Sequence, residues 1–152
     1  MSDTIFDKIA RKEINAYVIW EDENYLAFLT PFPNTPGFTV VIPKTNLGDY
    51  VFALKDSDYA ALLEAAKKVG LLIQKALGVK RVALVCEGTG VAYVHVKLIP
   101  LHGKLGGETD VWSDHTEFHD SYIGYITTAE GPKMDDHKLK KIQAKILSTK
   151  IS

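Results

Sequence analysis

An apolar pattern with helical spacing runs from residue 56 to residue 77. Side chains three or four residues apart share one face of a helix, so this pattern predicts a long amphipathic helix. Its apolar positions are Leu62, Leu63, Ala66, Val69, Ile73 and Leu77. Asp56 or Ser57 is the expected N-cap, and Gly78 is the expected C-terminal stop.

Shorter patterns predict strands and two further helices. Runs rich in apolar, β-branched and aromatic residues predict strands at residues 17–20, 25–29, 38–42, 81–87 and 91–100, with a short edge strand at 122–126. The run at 38–42 is almost continuously apolar, which is typical of a strand buried on both faces. Amphipathic runs predict a short helix over residues 5–14 and a lysine-rich closing helix that begins at residues 135–136. The polar residues 102–120 predict a long loop.

The predicted strands and helices do not alternate regularly along the chain. This order indicates an α+β fold, with helices gathered on an antiparallel sheet. The 152 residues match the length of one ordinary domain. We therefore expect a single domain over residues 1–152, with a core at 1–103 and a C-terminal loop, short strand and helix at 104–152.

Composition and charge narrow the classes of function. Hydrophobic residues make up 46% and charged residues 24% of the chain, as in an ordinary soluble globular protein. The 18 basic and 19 acidic residues leave a formal charge of −1, which excludes a global attraction to nucleic acid or to an anionic membrane. The amino terminus lacks the pattern of a signal peptide, and the single cysteine, Cys86, fits a reducing compartment. We expect a cytoplasmic protein whose partners include neither nucleic acid nor membrane.

The segment at residues 88–100 holds the residues best suited to chemistry. Side chains alternate along a strand, so Tyr93, His95 and Lys97 would share one face while the apolar residues between them pack on the other. Neighbours on one face lie about 6.6 Å apart, so this row could follow a small anion such as a phosphate. Thr89 and glycine amides would lie beside that anion. The alternative interpretation of these residues is a half-exposed strand whose polar face is only hydrated.

Three segments resemble the histidine triad (HIT) family. The glycine turn at residues 88–90 precedes an alternation that ends in Leu-Ile-Pro at 98–100, similar to the signature His-φ-His-φ-His-φ-φ, where φ is apolar. Stretches within residues 5–28 look like the opening of histidine triad nucleotide-binding proteins. Residues 36–44 are similar to the family strand Pro-Gly-His-x-Leu-Val-Ile-Pro-Lys. The three segments follow one another in the family order.

The resemblance implies a HIT-like fold, a mechanism and a partner. The fold would have a central antiparallel sheet of about five strands, one long helix, shorter helices and a C-terminal helix. The middle histidine of the family attacks the α-phosphorus of a nucleotide and forms a nucleotidyl-histidine that water hydrolyses. That histidine corresponds to His95, and a neutral imidazole is a competent nucleophile near neutral pH. The first and third positions are Tyr93 and Lys97, so the triad reads Tyr-x-His-x-Lys; Lys97 could assist the leaving group as a cation or an acid.

The resemblance also implies a set of substrate-binding residues. They are Phe6, Ile9, Phe28, Thr30, Thr89, Gly90, Val91 and Tyr93. Thr30 stands where many members carry an aspartate that binds the ribose hydroxyls, and Phe38 stands where a histidine supports the triad. For Phe6, Ile9 and Phe28, ordinary core packing explains the apolar side chains equally well. The expected partner is a small-molecule nucleotide, and no cofactor is expected.

Some family members hold a structural zinc ion at four positions. In this sequence the matching residues are Thr4, Asp7, Asn46 and Tyr93. Zinc prefers thiolate and imidazole ligands, and this set offers neither. We therefore expect no metal at this place.

Three functional hypotheses remain open at this point. The first is a nucleotide hydrolase or nucleotidyl transferase that acts on nucleoside phosphate esters, phosphoramidates or dinucleoside polyphosphates. The second is a nucleotide-binding protein with little or no turnover, suggested by the departures from the family pattern. The third is a metal-binding protein that uses His115 and His119, although a solvated loop explains those residues as well. A homodimer is expected from the resemblance and from Leu71 and Leu72, which widen the apolar surface of the long helix.

Overall fold

The computed structural model describes residues 3–129 and 132–149. The chain divides into two compact units, of which the first ends at Thr109 and the second begins at Asp110. Whether both belong to the single domain expected from the sequence stays a prediction. Within the described ranges, no helix combines the length and the apolar character needed to cross a membrane.

The first unit is built on an antiparallel sheet, as the sequence predicts. Its strands are β1 (Tyr17–Glu21), β2 (Tyr25–Leu29), β3 (Thr39–Pro43), β4 (Val82–Val85) and β5 (Val96–Pro100). They lie in the order β1-β2-β3-β5-β4, and each neighbouring pair is antiparallel. The α+β class and the hairpin of β1 and β2 are therefore confirmed. The strand β5 lies between β3 and β4 and is therefore an interior strand of the sheet.

Helices of the first unit pack on this sheet. They are α1 (Ile5–Ala10), α2 (Asp56–Leu77) and the short α3 (Lys104–Gly107). Gly78 ends α2 in the left-handed conformation, at φ 66°, as predicted. The predicted N-cap is wrong, because Lys55 holds that position without a side-chain hydrogen bond and Asp56 is already helical. The negative carboxylates of Asp56 and Asp58 in the first turn still stabilise the helix by interacting with the positive end of its dipole.

Each face of the sheet has its own core. The core on the α2 side includes Tyr25, Ala27, Val41, Leu62, Ala65, Ala66, Val69, Ile73, Val96 and Leu98. The core on the α1 side consists of Phe6, Ile9, Leu26, Phe28, Val40, Ile42 and Tyr93, and we call it the α1-side core. Because Val41 points to one face while Val40 and Ile42 point to the other, β3 is buried on both faces, which confirms its continuous apolar pattern.

Some predicted elements differ from the observed ones. The helix α1 stops at Ala10 rather than residue 14, and Lys12 follows it with a positive φ of 62°. The strand predicted over residues 91–100 begins only at Val96. Its first half leaves the sheet because the Val94 N–H donates to the Gly48 carbonyl at 2.6 Å instead of to a neighbouring strand. These residues form an irregular segment that holds two of the three triad positions.

The second unit contains one helix in its described part, α4 (Asp136–Leu147), which confirms the predicted closing helix. The edge strand predicted at residues 122–126 is wrong. Tyr122, Ile123 and Tyr125 are exposed, and these residues form no strand pairing. A run of apolar and aromatic residues forms a strand only where a partner strand is available for hydrogen bonds.

Candidate active site

His95 is a buried histidine immediately before β5. Its side chain is 3% exposed, and its ring meets the ring of Phe6 edge to face at a centroid distance of 5.2 Å. The ring nitrogen Nδ1 lies 2.6 Å from the carbonyl oxygen of Tyr93. A carbonyl oxygen can only accept a hydrogen bond, so Nδ1 carries the proton and Nε2 keeps its lone pair. This arrangement presents Nε2 as the nucleophilic atom.

The surroundings keep the imidazole of His95 neutral. Burial lowers its pKa, and the positive charge of Lys97 lowers it further. The hydrogen bond to Tyr93 and the negative charge of Glu87 act in the opposite direction but do not reverse the shift. The pKa of His95 is therefore below its ordinary value, and the neutral, nucleophilic form predominates at neutral pH.

Lys97 lies on β5, two residues after His95, and forms an ion pair with Glu87. Both side chains are largely buried, with 29% of Lys97 and 15% of Glu87 exposed. Burial raises the pKa of the Glu87 carboxyl, but the Lys97 ammonium lowers it more, and the net direction is downward. The Thr89 hydroxyl lies 3.4 Å from the same carboxylate oxygen, Oε1. The segment thus brings together a nucleophile, a cation and a carboxylate.

The sequence analysis did not identify Glu87 as a site residue. Its lysine partner is ten residues away along the chain, on the other side of a glycine turn. The signal lies in the strand register, because β4 and β5 pair Val85 with Lys97. Glu87 lies two residues past Val85 and His95 two residues before Lys97, so both leave the paired strands at the same end.

The loop at residues 86–90 is held against residues 48–50. Gly88 has a positive φ of 71°, and a Cβ atom at that position would overlap the carbonyl oxygen of Asp49. The Cys86 thiol donates to the carbonyl of His95 at 3.1 Å. These contacts fix Glu87 and His95 on one rigid piece of backbone.

The expected apolar substrate-binding residues lie together. Phe6, Ile9, Phe28 and Tyr93 belong to the α1-side core, and Val91 packs against it. The rings of Phe6 and Phe28 meet edge to face at 5.6 Å. These residues form a buried core, and Phe6 is the member whose ring contacts that of His95.

Tyr93 does not lie on a hydrated face. Its side chain is fully buried, and its hydroxyl donates to the carbonyl of Pro43 at 2.6 Å. Burial raises the pKa of Tyr93 to about 12, and the negative charge of Asp7 adds to this effect. The hydrated polar face considered from the sequence is therefore wrong for Tyr93 and for His95. The prediction that Tyr93, His95 and Lys97 line up along an anion is also wrong, because the Tyr93 hydroxyl is hydrogen-bonded to the Pro43 carbonyl inside the protein.

The remaining predicted substrate-binding residues, Thr30, Thr89 and Gly90, lie closer to the surface. The Thr30 hydroxyl accepts a hydrogen bond from the Phe32 N–H at 3.2 Å, just after β2. Thr89 and Gly90 are exposed in the loop that carries Glu87. Thr89 contacts Glu87, whereas Thr30 forms no hydrogen bond with His95 or Lys97 in the described part of the chain.

The four positions that match a zinc site in the family form hydrogen bonds instead. The Thr4 hydroxyl donates to Asp7 at 2.7 Å, and the Asn46 amide lies 3.2 Å from the other oxygen of Asp7. The Tyr93 hydroxyl donates a hydrogen bond to the carbonyl of Pro43. This donor set does not fit zinc, which prefers thiolate and imidazole. The absence of a metal ion here stays a prediction.

His115 and His119 lie in the second unit, outside any helix. The ring of His115 is hydrogen-bonded to Asp114 and Glu117, each at 2.8 Å, and His119 lies 3.3 Å from Glu117. Across residues 3–129 and 132–149, no group of three or more histidine, cysteine or acidic side chains is arranged to hold a metal ion. The two histidines therefore belong to an exposed hydrogen-bonded cluster.

Comparison with known proteins identifies the family of the chain. The family model of the HIT domain matches residues 11–104. The chain belongs to the HIT domain family. A relative, Protein hit of Bacillus subtilis, is 32% identical over 118 residues, which cover 74% of this chain and 81% of that protein. The family assignment includes both strands that flank the candidate site and the segment that contains His95.

Two solved HIT structures resemble the chain. A member of the HIT family from Bacillus subtilis has 27% sequence identity and a TM-score of 0.67, and the likeness covers 99% of each chain. A HIT family hydrolase from Legionella pneumophila has 29% identity and a TM-score of 0.57, over 72% of this chain and 97% of that one. The HIT fold of the chain is thus established.

Proposed function

We propose that this HIT protein is a nucleotide hydrolase or nucleotidyl transferase that uses His95 as its nucleophile. Its substrates would be nucleoside phosphate esters, phosphoramidates or dinucleoside polyphosphates. The single observation that carries the proposal is the hydrogen bond from His95 Nδ1 to the Tyr93 carbonyl in a buried site. It directs an unprotonated Nε2 away from the backbone, as nucleophilic catalysis requires.

The proposed reaction has two steps. In the first, Nε2 of His95 forms a bond to the α-phosphorus while the bond from phosphorus to the leaving oxygen or nitrogen breaks. Lys97 stabilises the charge that develops on the leaving group or gives it a proton. In the second, water attacks the same phosphorus, the nitrogen–phosphorus bond breaks, and the mononucleotide leaves. His95 returns to its neutral state.

One observation favours the alternative function, a nucleotide-binding protein with little or no turnover. Lys97 is paired with Glu87 in the structure, so its charge is already balanced before a phosphate arrives. A lysine whose charge is neutralised in this way would assist a leaving group less, as in a protein that binds nucleotides through its other contacts with little turnover.

A substrate panel distinguishes the two functions. Purified protein is incubated with adenylyl and guanylyl esters, phosphoramidates and dinucleoside polyphosphates, and mononucleotide release is followed by chromatography. The proposed enzyme releases mononucleotide with saturation kinetics from at least one class. Saturable nucleotide binding without product from any class supports the binding protein instead.

We further propose that the protein is a cytoplasmic homodimer. The strand β4 is an edge of the sheet, and its residue Leu84 is exposed. Leu71 and Leu72 of α2 are exposed as well, and Leu71 and Leu84 line one groove. A second copy would cover this apolar edge. The free thiol of Cys86 fits a reducing compartment.

A further inference from the structure

We propose that Glu87 is a positioning residue, which holds the ammonium group of Lys97 beside His95 and keeps it from binding the substrate phosphate in the ground state. This role rests on the proposed function. It assigns Glu87 a task in the first reaction step, in which Lys97 acts on the leaving group.

The first support is the way the ion pair is held. Glu87 is more buried than the other acidic partners of lysine in the described ranges, at 15% against 31% for Glu21 and 78% for Asp136. A flexible lysine chain would otherwise sample many positions. Burial of the carboxylate therefore limits where the Lys97 ammonium can be.

The second support is an oxygen atom of the Glu87 carboxylate that forms no hydrogen bond with the described residues. The Glu87 carboxylate contacts Lys97 and Thr89 through Oε1 alone. Its other oxygen, Oε2, is buried and has no hydrogen-bond partner among the described residues. Buried polar atoms are normally paired, and exceptions concentrate where function requires them. An ammonium group has three protons, so Lys97 could shift between the two oxygens while another proton reaches the substrate.

The third support is the rigid placement of Glu87 relative to the nucleophile. Glu87 and His95 both lie just beyond the last paired residues of β4 and β5, and the Cys86 thiol donates a hydrogen bond to the His95 carbonyl. Gly88 follows with a backbone conformation that brings it against Asp49. The charges around His95 are those of Glu87 and Lys97, and they shift its pKa in opposite directions. Glu87 is thus held next to both the cation that it positions and the nucleophile.

The test is the variant Glu87→Gln, which keeps the shape of the side chain and removes its charge. We expect kcat to fall about 10-fold or more, because the freed ammonium leaves its transition-state position. The dissociation constant of the mononucleotide product should decrease, because the same ammonium can now bind phosphate in the ground state. Glu87→Asp should recover part of kcat. A purely structural role would change stability without this opposite movement of kcat and affinity.

A matched control is available in the same fold. Glu21 pairs with Lys44 at 2.7 Å, and their side chains are 31% and 26% exposed. Glu21→Gln removes a comparable ion pair, and we expect kcat and nucleotide affinity to stay at their wild-type values.

An NMR titration of the His95 imidazole provides a readout that needs no turnover. Removal of the Glu87 charge should lower the pKa of His95, because that charge now raises it. Lys97→Met should move the pKa upward, and Glu21→Gln should leave it unchanged. If the wild-type protein turns over no substrate while the pKa of His95 moves as expected, the proposed enzymatic function fails and the coupling of Glu87 to the site stands.

The proposal is overturned if Glu87→Gln matches wild type in kcat, in nucleotide affinity and in the titration of His95. If Glu87→Gln does not fold, the double variant Glu87→Gln with Lys97→Met replaces it, because it leaves no unpaired charge. Its kcat should equal that of Lys97→Met alone within about twofold, since Glu87 acts through Lys97. A further large loss in the double variant would also contradict the proposal.

Discussion

At the scale of single residues, the candidate chemistry depends on one hydrogen bond and one ion pair. The Tyr93 carbonyl fixes the tautomer of His95, and burial beside Phe6 removes the water that would stabilise its charged form. Glu87 places the cation of Lys97 on the same side. A neutral nucleophile next to a held cation is the arrangement that phosphoryl transfer requires.

The lowered pKa of His95 predicts an acid-tolerant enzyme. Catalysis needs the neutral imidazole, so the rate must fall when His95 becomes protonated. Because the pKa of His95 is lowered, this loss should begin below the pH of about 6.5 at which a free imidazole is half protonated. The pH profile of kcat/KM reports this group in the free enzyme. A half-maximal rate at a pH above 6.5 would contradict the proposed environment of His95.

Lys97 should act in the transition state. Lys97→Met removes the cation near the leaving group, so kcat should fall by about 10² or more while nucleotide affinity changes little. Lys97→His, which restores the third histidine of the family, should retain more activity than Lys97→Met. Steady-state kinetics and calorimetric binding separate the two effects. Equal kcat in wild type and Lys97→Met would mean that Lys97 has no catalytic role.

At the scale of elements, the site depends on the loop between β4 and β5. This loop replaces the expected first half of a strand, and it carries both Glu87 and His95 just beyond the last paired residues of β4 and β5. Its backbone can approach Asp49 only because residue 88 has no side chain.

Gly88→Ala should therefore destabilise the protein more than Gly90→Ala does. Both glycines have a positive φ, which costs an alanine about 1–3 kcal/mol, but only at Gly88 would the new Cβ overlap a backbone atom. Urea unfolding of both variants measures the difference in the free energy of unfolding. Equal losses would show that the loop does not rest tightly on Asp49.

Regular elements could be predicted from the sequence, whereas the irregular ones could not. The helix α2 and the strands β2 and β3 follow from the periodicity of apolar residues, because burial against the sheet requires that pattern. The break before Val96 depends on a hydrogen bond to Gly48, far away in the sequence. His95 and Lys97 were found through their spacing and the family resemblance, but Glu87 required the register of two strands. The edge strand at 122–126 failed because a run of apolar and aromatic residues does not by itself supply a pairing partner.

At the scale of the whole molecule, the proposed dimer explains an apolar edge that the monomer leaves uncovered. Leu71 on α2 lines a groove with Leu84 of the edge strand β4, and Leu71, Leu72 and Leu84 are all exposed. The open hydrogen-bonding groups of an edge strand normally require protection.

Light scattering should therefore give twice the chain mass of 16.9 kDa at micromolar concentration. Leu84→Glu should shift the mass toward that of one chain, because it places a charge in the proposed interface. Leu139→Glu changes an exposed leucine of α4 and should leave the mass unchanged. A wild-type mass of one chain would rule out the dimer.

The measurement that tests the account most directly is the capture of the covalent intermediate. Protein is mixed with an active substrate from the panel, the reaction is quenched during turnover, and intact mass and peptide mapping locate any attached nucleotidyl group. We expect one group per chain on His95, none in His95→Ala, and wild-type behaviour in His137→Ala, which changes an exposed histidine of α4. His95→Ala should also lose turnover while it still binds nucleotide. A nucleotidyl group on another residue, or more than a few per cent of wild-type activity in His95→Ala, would contradict the central claim.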